Sequence, residues 1–343
     1  MQLELRIIRG WRELPFFLFS ARSCIRSALK RNQACFGYKL QVVKSMALQH
    51  FLTLQDLPAA DLEAIIRRAI DLKAQPQPAS SLTGKTLGLI FEKASTRTRV
   101  AFEVAMNQLG GASVFLTNND SQLGRGEPVA DTARVMSRMV EVIAIRTFSH
   151  ASLEKFAAYS RVPVINALSD DFHPCQLLAD VQTFMEARGD IRGARVAWVG
   201  DGNNMCQSYI NAAAVFGFSL QIATPSGFEP KAELLERYAK HVSLVSDPKQ
   251  AVAGADLVVT DVWASMGMEA EQSERATRFA AYQVNTALMA CAAESALFMH
   301  CLPAHRGEEV SAEILDADDS VVWQEAENRM HSKKALLEYL IAG

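Results

Sequence analysis

The sequence predicts an α/β protein built from two doubly wound parallel-sheet domains joined by long helices. Three observations favour this fold. The 343 residues are enough for two domains of ordinary size, each with its own core. Short apolar runs alternate with segments of helical periodicity, which is typical of strands and helices around a parallel sheet. The alternation occurs twice, before and after a long helical segment at Pro174–Arg188 that ends at Gly189.

The first series begins with an amphipathic helix at Leu57–Ala74 and a strand at Lys85–Phe91. A helix at Arg97–Leu109 follows and ends at two glycines, which are common helix terminators. Further strands are expected, with helical segments between them, at Ser113–Leu116, Val142–Ile145 and Val162–Ile165.

The second series contains five apolar runs and closes with a helix at Gln324–Ile341. The division between the two domains is expected near Leu178–Arg188. The predicted strands of the second domain are Arg195–Val199, Ser219–Ala223, Val242–Val245, Leu257–Thr260 and Ala296–Met299.

Composition limits the possible partners. Apolar residues make up 49% and charged residues 21% of the chain, as in globular proteins. The longest early apolar run, Leu14 to Phe19, is far too short to cross a bilayer, so no membrane partner is expected. Residues 46–343 hold 26 basic and 36 acidic residues, and this acidic balance argues against nucleic-acid binding.

The six cysteines form no CxxC pair and no zinc-like spacing with histidine. Nothing in their spacing indicates a disulfide scaffold, so a reducing compartment, the cytoplasm, is expected.

Residues 1–45 differ from the rest, with nine Lys and Arg against two Asp and Glu. Three interpretations remain open. The working protein could begin near Met46, downstream of this segment. The segment could be a targeting peptide, which is typically rich in Arg and poor in acid, and would then direct the protein to mitochondria. It could also be a genuine extension.

The first candidate site is Ser95-Thr96-Arg97-Thr98-Arg99, between a predicted strand and a predicted helix. The first turn of a helix offers free N–H groups and the positive end of the helix dipole, which together bind anions. Two guanidinium groups strengthen such a site, since Arg grips phosphate through paired hydrogen bonds. The alternative is a capped surface helix with solvated arginines.

Two weaker signals accompany it. In His173-Pro174-Cys175-Gln176, the proline suits the first turn of a helix and leaves His173 and Gln176 near one helix end. Arg146 follows an apolar strand, where parallel sheets place their ligand sites, although a surface arginine is an equal alternative.

Gly200-Asp201-Gly202-Asn203-Asn204 also follows a strand but does not complete a dinucleotide fingerprint, because Met205 stands where the third glycine belongs. The two asparagines instead suggest ligands for the backbone groups of an amino acid. Asp261 and the segment His300-Cys301-Leu302-Pro303 follow two further strands. Cys301 could be a core thiol, but its position at a strand end favours a site.

Together these segments resemble the aspartate/ornithine carbamoyltransferase family, in register from Met46 to Gly343. Ser95–Arg99 is similar to the first carbamoyl phosphate motif of the family, and His173–Gln176 is similar to the second. Asp261 to Gly267 and His300–Pro303 resemble the ornithine branch.

The resemblance implies a carbamoyl phosphate domain at 46–180 and an ornithine domain at 181–323, with the helix 324–341 packing back on the first domain. It also implies a homotrimer or a multiple of trimers, in which Gln122 reaches the active site of a neighbouring subunit.

The implied reaction, part of arginine metabolism, transfers a carbamoyl group from carbamoyl phosphate to the δ-amine of L-ornithine, without a metal or cofactor. Catalysis is expected from Arg146, His173, Asp261 and Cys301. Ornithine is expected to bind Asn204, Asp261, Ser265 and Met266. Carbamoyl phosphate is expected to bind Ser95, Thr96, Arg97, Thr98, Gln122, Arg146, His173, Gln176, Cys301, Leu302 and Arg329.

Two alternatives stay open at this point. The acceptor could be another amine, such as an acylated ornithine, putrescine or aspartate, although Ser265-Met266-Gly267 and His300–Pro303 favour ornithine. The chain could also be a catalytically inactive regulatory relative, although the residues expected by resemblance are all present.

Overall fold

The computed structural model describes residues 48–74, 80–117, 123–264 and 272–342. The segment 1–45 and the predicted site residues Gln122, Ser265 and Met266 lie outside the described residues, so the expectations for them stay predictions. Within the described ranges the chain forms two parallel sheets flanked by helices, which confirms the predicted α/β class.

The first sheet has four parallel strands in the order β2-β1-β3-β4. The central strand β1 pairs with both neighbours, so that Leu87 lies opposite Ser113 on one side and Val142 on the other. Its side chains are almost entirely buried, as expected for a strand covered on both faces. The strands are β1 (Thr86–Phe91), β2 (Ala112–Thr117), β3 (Val142–Arg146) and β4 (Val164–Leu168).

The second sheet has five parallel strands in the order β7-β6-β5-β8-β9. The chain starts this sheet at its centre and moves first to one edge and then to the other. Strand order therefore reverses between β5 and β8, where sheets of this kind bind their ligands. The strands are β5 (Arg195–Val199), β6 (Ser219–Ala223), β7 (Val242–Val245), β8 (Leu257–Thr260) and β9 (Leu297–His300).

Twelve α-helices lie in the described ranges, together with short 3₁₀ segments. None of them combines the length and the apolar character that a membrane crossing requires. The helices are α1 (Ala59–Ala74), α2 (Thr96–Gln108), α3 (Val129–Met136), α4 (His150–Tyr159), α5 (Pro174–Arg188), α6 (Asn204–Phe216), α7 (Ala232–Arg237), α8 (Pro248–Val252), α9 (Gln272–Phe279), α10 (Thr286–Met289), α11 (Ala312–Leu315) and α12 (Val322–Ala342).

Helix α5 links the two sheets. Pro174 occupies its first turn, where the missing N–H costs nothing, and Gly189 ends it with a positive φ of 87°. The residues from Pro174 to Phe184 are buried. Helix α5 therefore runs without a break from the edge of the first sheet toward β5.

The terminal helix α12 packs against α5, α1 and α2. Its N-terminal half carries polar yet buried side chains, which include Glu325, Asn328 and Arg329. Buried polar side chains need partners inside the protein. The packing of α12 therefore places hydrogen-bonding groups directly beside the start of α2 and the end of β9.

Candidate active site

A cavity of about 400 Å³ lies where the carboxyl ends of strands from both sheets meet. Three of the described predicted residues are not part of its wall: Thr96 is exposed, whereas Thr98 and Gln176 are buried. Gln176 lies one helical turn beyond His173. Nine predicted residues line the cavity: Ser95, Arg97, Arg146, His173, Asn204, Asp261, Cys301, Leu302 and Arg329.

The junction between β1 and α2 has the predicted form. Ser95 caps the helix, its side chain accepting a hydrogen bond from the backbone N–H of Thr98 at 3.3 Å and donating to the hydroxyl of Thr98 at 2.9 Å. Arg97 lines the cavity from the first turn, whereas Arg99 is exposed and pairs with Glu103 at 3.0 Å. The junction therefore offers an anion one guanidinium group and the positive end of α2.

Arg146 ends β3 and is only 7% exposed, so it is not the surface arginine of the alternative interpretation. Its guanidinium group makes no hydrogen bond or ion pair with any part of the chain that the structure describes, and its Nε is buried. Burial, followed by the charge of Arg329, lowers the pKa of Arg146 to about 10. The guanidinium stays charged at neutral pH but has no anion to balance it.

His173 precedes α5, and its backbone N–H donates to Ser208 at 2.7 Å. The imidazole is 3% exposed, and burial together with the charges of Arg329 and Arg146 holds its pKa well below the usual value. The ring is therefore neutral at pH 7. Its one N–H can donate a hydrogen bond without bringing a further positive charge.

Arg329 joins the two halves of the cavity. From α12 it donates to the hydroxyl of Thr98 on α2 at 3.0 Å and to the backbone carbonyl of Cys301 after β9 at 3.1 Å. Its side chain is buried, and burial lowers its pKa. One guanidinium thus ties the anion-binding helix to the edge of the second sheet.

The part of the wall that comes from the second sheet is built around Asp261, which follows β8. One carboxylate oxygen accepts from Asn203 Nδ2 at 2.8 Å, and the other accepts from the thiol of Cys301 at 3.2 Å. Burial, followed by the charge of Asp261, raises the pKa of Cys301 well above the usual value. Cys301 is therefore a neutral thiol that donates a hydrogen bond, and it is unsuited to act as a thiolate nucleophile.

Asn203 and Asn204 start α6 in different ways. Asn203 caps the helix, its side-chain oxygen accepting from the backbone of Met205 and Cys206. Asn204 lines the cavity and donates to the backbone carbonyl of Ser169 at 2.7 Å. Asn203 therefore caps α6, and Asn204 forms part of the cavity wall.

The turn after β9 is held by His300, whose Nδ1 accepts from the backbone N–H of Leu302 at 2.9 Å. The other ring nitrogen of His300 lies 3.1 Å from the buried carboxylate of Glu309. Leu302 has a φ of 60°, which turns its backbone sharply before Pro303. His300 thus fixes the segment that brings Cys301 and Leu302 to the cavity.

Sequence reasoning missed several lining residues. Arg275 on α9 forms a buried ion pair with Asp201 at 2.9 Å and stacks on Phe228. Lys93 lines the cavity and pairs with Asp170. Asp201 stands in the glycine-rich segment already singled out, and Lys93 lies between the end of β1 and Ser95, just outside the segment that was singled out there. Arg275 lies in no strand-end motif and gave no signal.

Two family models match consecutive parts of the chain. The model of the aspartate/ornithine carbamoyltransferase carbamoyl-P binding domain matches residues 49–186, and the model of the Asp/Orn binding domain matches residues 192–340.

Curated relatives cover most of the chain. The ornithine carbamoyltransferase of Methylococcus capsulatus is 63% identical over 296 residues, which make up 86% of this chain and 99% of the relative. That of Nitrosococcus oceani is 62% identical over 301 residues, 87% of this chain and 99% of the relative.

Solved structures agree with the observed fold. Ornithine carbamoyltransferase from Pyrococcus furiosus superposes with a TM-score of 0.83 at 47% identity, covering 87% of this chain and 98% of that one. The enzyme from Burkholderia thailandensis gives 0.80 at 48% identity, covering 86% and 99%. With both family models matched in order and relatives this similar, the chain belongs to the aspartate/ornithine carbamoyltransferase family.

Proposed function

We propose that this chain transfers the carbamoyl group of carbamoyl phosphate to the δ-amine of L-ornithine, forming L-citrulline and phosphate. The observation that carries the proposal is that three guanidinium groups, those of Arg97, Arg146 and Arg329, line one cavity together with the carboxylate of Asp261. A dianionic substrate suits the guanidinium groups, and an amine suits the carboxylate. The names of the similar relatives favour ornithine as the amine.

Carbamoyl phosphate is bound through its phosphate at the start of α2. Ser95, Thr96, Arg97 and Thr98 supply backbone and side-chain donors there, and Arg329 completes the set from α12. Charge-assisted hydrogen bonds from Arg to phosphate are among the strongest available to a protein. The uncompensated charge of the site becomes balanced when the dianion binds.

The carbonyl group is activated by Arg146 and His173. When the amine attacks the carbonyl carbon, negative charge builds on the carbamoyl oxygen, and fixed donors stabilise that charge most. A charged Arg146 and a neutral His173 can both donate to this oxygen. Gln176 and the carbonyl of Leu302 accept from the carbamoyl NH₂.

Ornithine is recognised from the second sheet. Asn204, Asp261, Ser265 and Met266 bind its amino-acid groups, and Asp261 with Cys301 orients the δ-amine. The free amine is protonated at neutral pH, with a pKa close to the lysine value of about 10.4, so it must lose a proton before attack. The nitrogen then bonds to carbon, the bond from carbon to the phosphate oxygen breaks, and phosphate leaves with the proton. The reaction so written needs no metal or cofactor.

The subunits are proposed to form a trimer or a multiple of trimers. Gln122, which lies outside the described residues, is the residue expected by resemblance to enter a neighbouring active site. We also propose a cytoplasmic location, since Cys175, Cys206, Cys291 and Cys301 are all unpaired in the described structure, as in a reducing compartment.

Replacing Arg97 or Arg146 with alanine is expected to lower kcat/KM by about 10²–10³ without unfolding the protein, since loss of one donor to a developing oxyanion or phosphate has that effect. Citrulline formation with saturating ornithine measures it. Arg99→Ala is the matched control, because Arg99 belongs to the same segment but is exposed and pairs with Glu103. The kcat/KM of this control should stay within about threefold of that of the unaltered protein, because exposed ion pairs contribute little. A folded Arg97 or Arg146 variant with normal efficiency would remove that arginine from the mechanism.

A panel of four amines with saturating carbamoyl phosphate tests substrate choice and activity together. Ornithine should be far ahead of putrescine, Nα-acetylornithine and aspartate in kcat/KM. Putrescine leaves the carboxylate-binding groups unpaired, and sites of this kind reject such analogues by about 10⁴–10⁵. The amide of acetylornithine cannot pair with Asp261, and the two carboxylates of aspartate are repelled by it. A rival within about tenfold of ornithine would contradict the ornithine assignment, and the absence of any product would favour an inactive relative.

Shared active sites are tested by mixing two inactive variants, Gln122→Ala and Arg97→Ala. In randomly mixed trimers about a quarter of the sites combine an intact Arg97 with an intact neighbouring Gln122, so about a quarter of the normal activity should return. The measurement is citrulline formation after the subunits have been dissociated together and reassociated. No recovery in mixtures whose mass by light scattering shows reassociation would contradict shared sites.

A further inference from the structure

A pair of buried carboxyl groups lies beside the cavity and has no part in the mechanism above. Asp180 on α5 and Glu325 on α12 each accept a hydrogen bond from Gln176 Nε2 at 2.8 Å. Asp180 also accepts from the hydroxyl of Tyr209 at 2.7 Å, and Glu325 accepts from the backbone N–H of His300 at 3.0 Å. Both hydrogens of the Gln176 amide nitrogen are therefore engaged.

These contacts fix which way the Gln176 amide faces. Turning the amide over would put its oxygen against two acceptor groups, so the nitrogen faces the carboxyl pair and Oε1 faces away from it. Oε1 is buried and finds no hydrogen-bond donor among the residues that the structure describes. A buried acceptor left unpaired costs about 1–3 kcal/mol. The arrangement thus leaves Oε1 of Gln176 available as a hydrogen-bond acceptor one helical turn beyond His173, and His173 lines the cavity.

The charge state of the pair is compatible with this orientation, because a hydrogen bond between Asp180 and Glu325 holds their shared proton away from Gln176. Burial raises the pKa of Asp180, and burial together with the neighbouring Asp180 raises the pKa of Glu325. Two buried carboxyl groups in contact share a proton, since both cannot be ionised without strong repulsion. The remaining negative charge lies near Arg329, and the pair still accepts both hydrogens of Gln176.

We propose that Asp180 and Glu325 are positioning residues that hold Gln176 as a hydrogen-bond acceptor and so select an acyl phosphate that carries an NH₂ group. The inference rests on the proposed function, since it assigns the selection of the carbamoyl donor to the same site. The NH₂ of carbamoyl phosphate can donate to Oε1. The methyl group of acetyl phosphate has nearly the same size but cannot donate, and it leaves Oε1 unpaired.

The test is a comparison of two stable ligands that differ in one group. Phosphonoacetamide carries the NH₂, and 2-oxopropylphosphonate carries a methyl group in its place. Their dissociation constants can be measured by calorimetry without any turnover. The unaltered protein should bind the amide at least about tenfold more tightly, which corresponds to one hydrogen bond to a buried acceptor.

Glu325→Gln and Asp180→Asn keep the side-chain volume but introduce an amide that can donate to Gln176. Each variant lets the Gln176 amide turn over, so the preference for phosphonoacetamide should fall at least about fivefold, leaving only the part that the carbonyl of Leu302 provides. Binding of inorganic phosphate should not change, because its contacts lie at the start of α2. Gln176→Ala should lose the same preference, and adding Glu325→Gln to it should have no further effect.

Glu186→Gln is the matched control. Glu186 also lies between α5 and α12 and accepts from a glutamine, Gln182, at 2.9 Å, but it has no contact with Gln176. It should keep the full preference for phosphonoacetamide, even if its melting temperature falls.

Two results would overturn the positioning role. One is a folded Glu325→Gln or Asp180→Asn protein with the normal preference. The other is a Gln176→Ala protein that retains the normal preference. This second result can be obtained even if neither carboxyl variant folds. Failure of the proposed function is seen separately, as the absence of citrulline formation by the unaltered protein, and does not depend on these ligand ratios.

Discussion

Three buried or partly buried guanidinium groups in one cavity are the constraint around which the site is built. Arg97, Arg146 and Arg329 lie close enough that Arg97 and Arg329 both lower the pKa of Arg146. The guanidinium of Arg146 has no hydrogen-bond or ion-pair partner among the described residues, so none of their carboxylates balances its charge directly. Removing such a charge from water is costly unless it is paired. The fold therefore maintains an electrostatically unfavourable cluster, which a dianionic substrate relieves.

The fold can maintain this cluster because Arg329 connects two separate parts of it. Its hydrogen bonds to Thr98 and to the carbonyl of Cys301 join the start of α2 to the end of β9. Helix α12 is held in turn by its packing on α5 and by the hydrogen bonds of Glu325 with Gln176 and His300. The groups that bind substrate are thus positioned by helices, which favours a preorganised site. Asp261, which also lines the cavity, then offers the negative charge that suits an incoming amine.

Much of this arrangement follows from local sequence. Periodicity gave the bounds of α5 and of β5 to β8 without error, because buried strands and a helix framed by Pro174 and Gly189 carry strong local signals. Their positions just after predicted strands also identified Arg146, Asp261 and Cys301 as candidate site residues. The ion pair of Arg275 with Asp201 and the carboxyl pair of Asp180 with Glu325 gave no such signal. Each joins residues more than 70 positions apart, so only the tertiary packing brings them together.

The central claim, that the cluster is unfavourable until a dianion binds, is tested most directly by Arg146→Met. Methionine fills much of the same space without the charge. Unfolding in urea is measured with and without saturating inorganic phosphate. Since burial lowers the pKa of Arg146 from its ordinary value to about 10, the ligand-free variant should be as stable as the unaltered protein or more stable by up to about 3 kcal/mol. Phosphate should stabilise the unaltered protein more than the variant, because the variant keeps the contacts at the start of α2 but has one positive charge fewer for the dianion to balance. A variant that is less stable without ligand, yet is still stabilised normally by phosphate, would contradict the account.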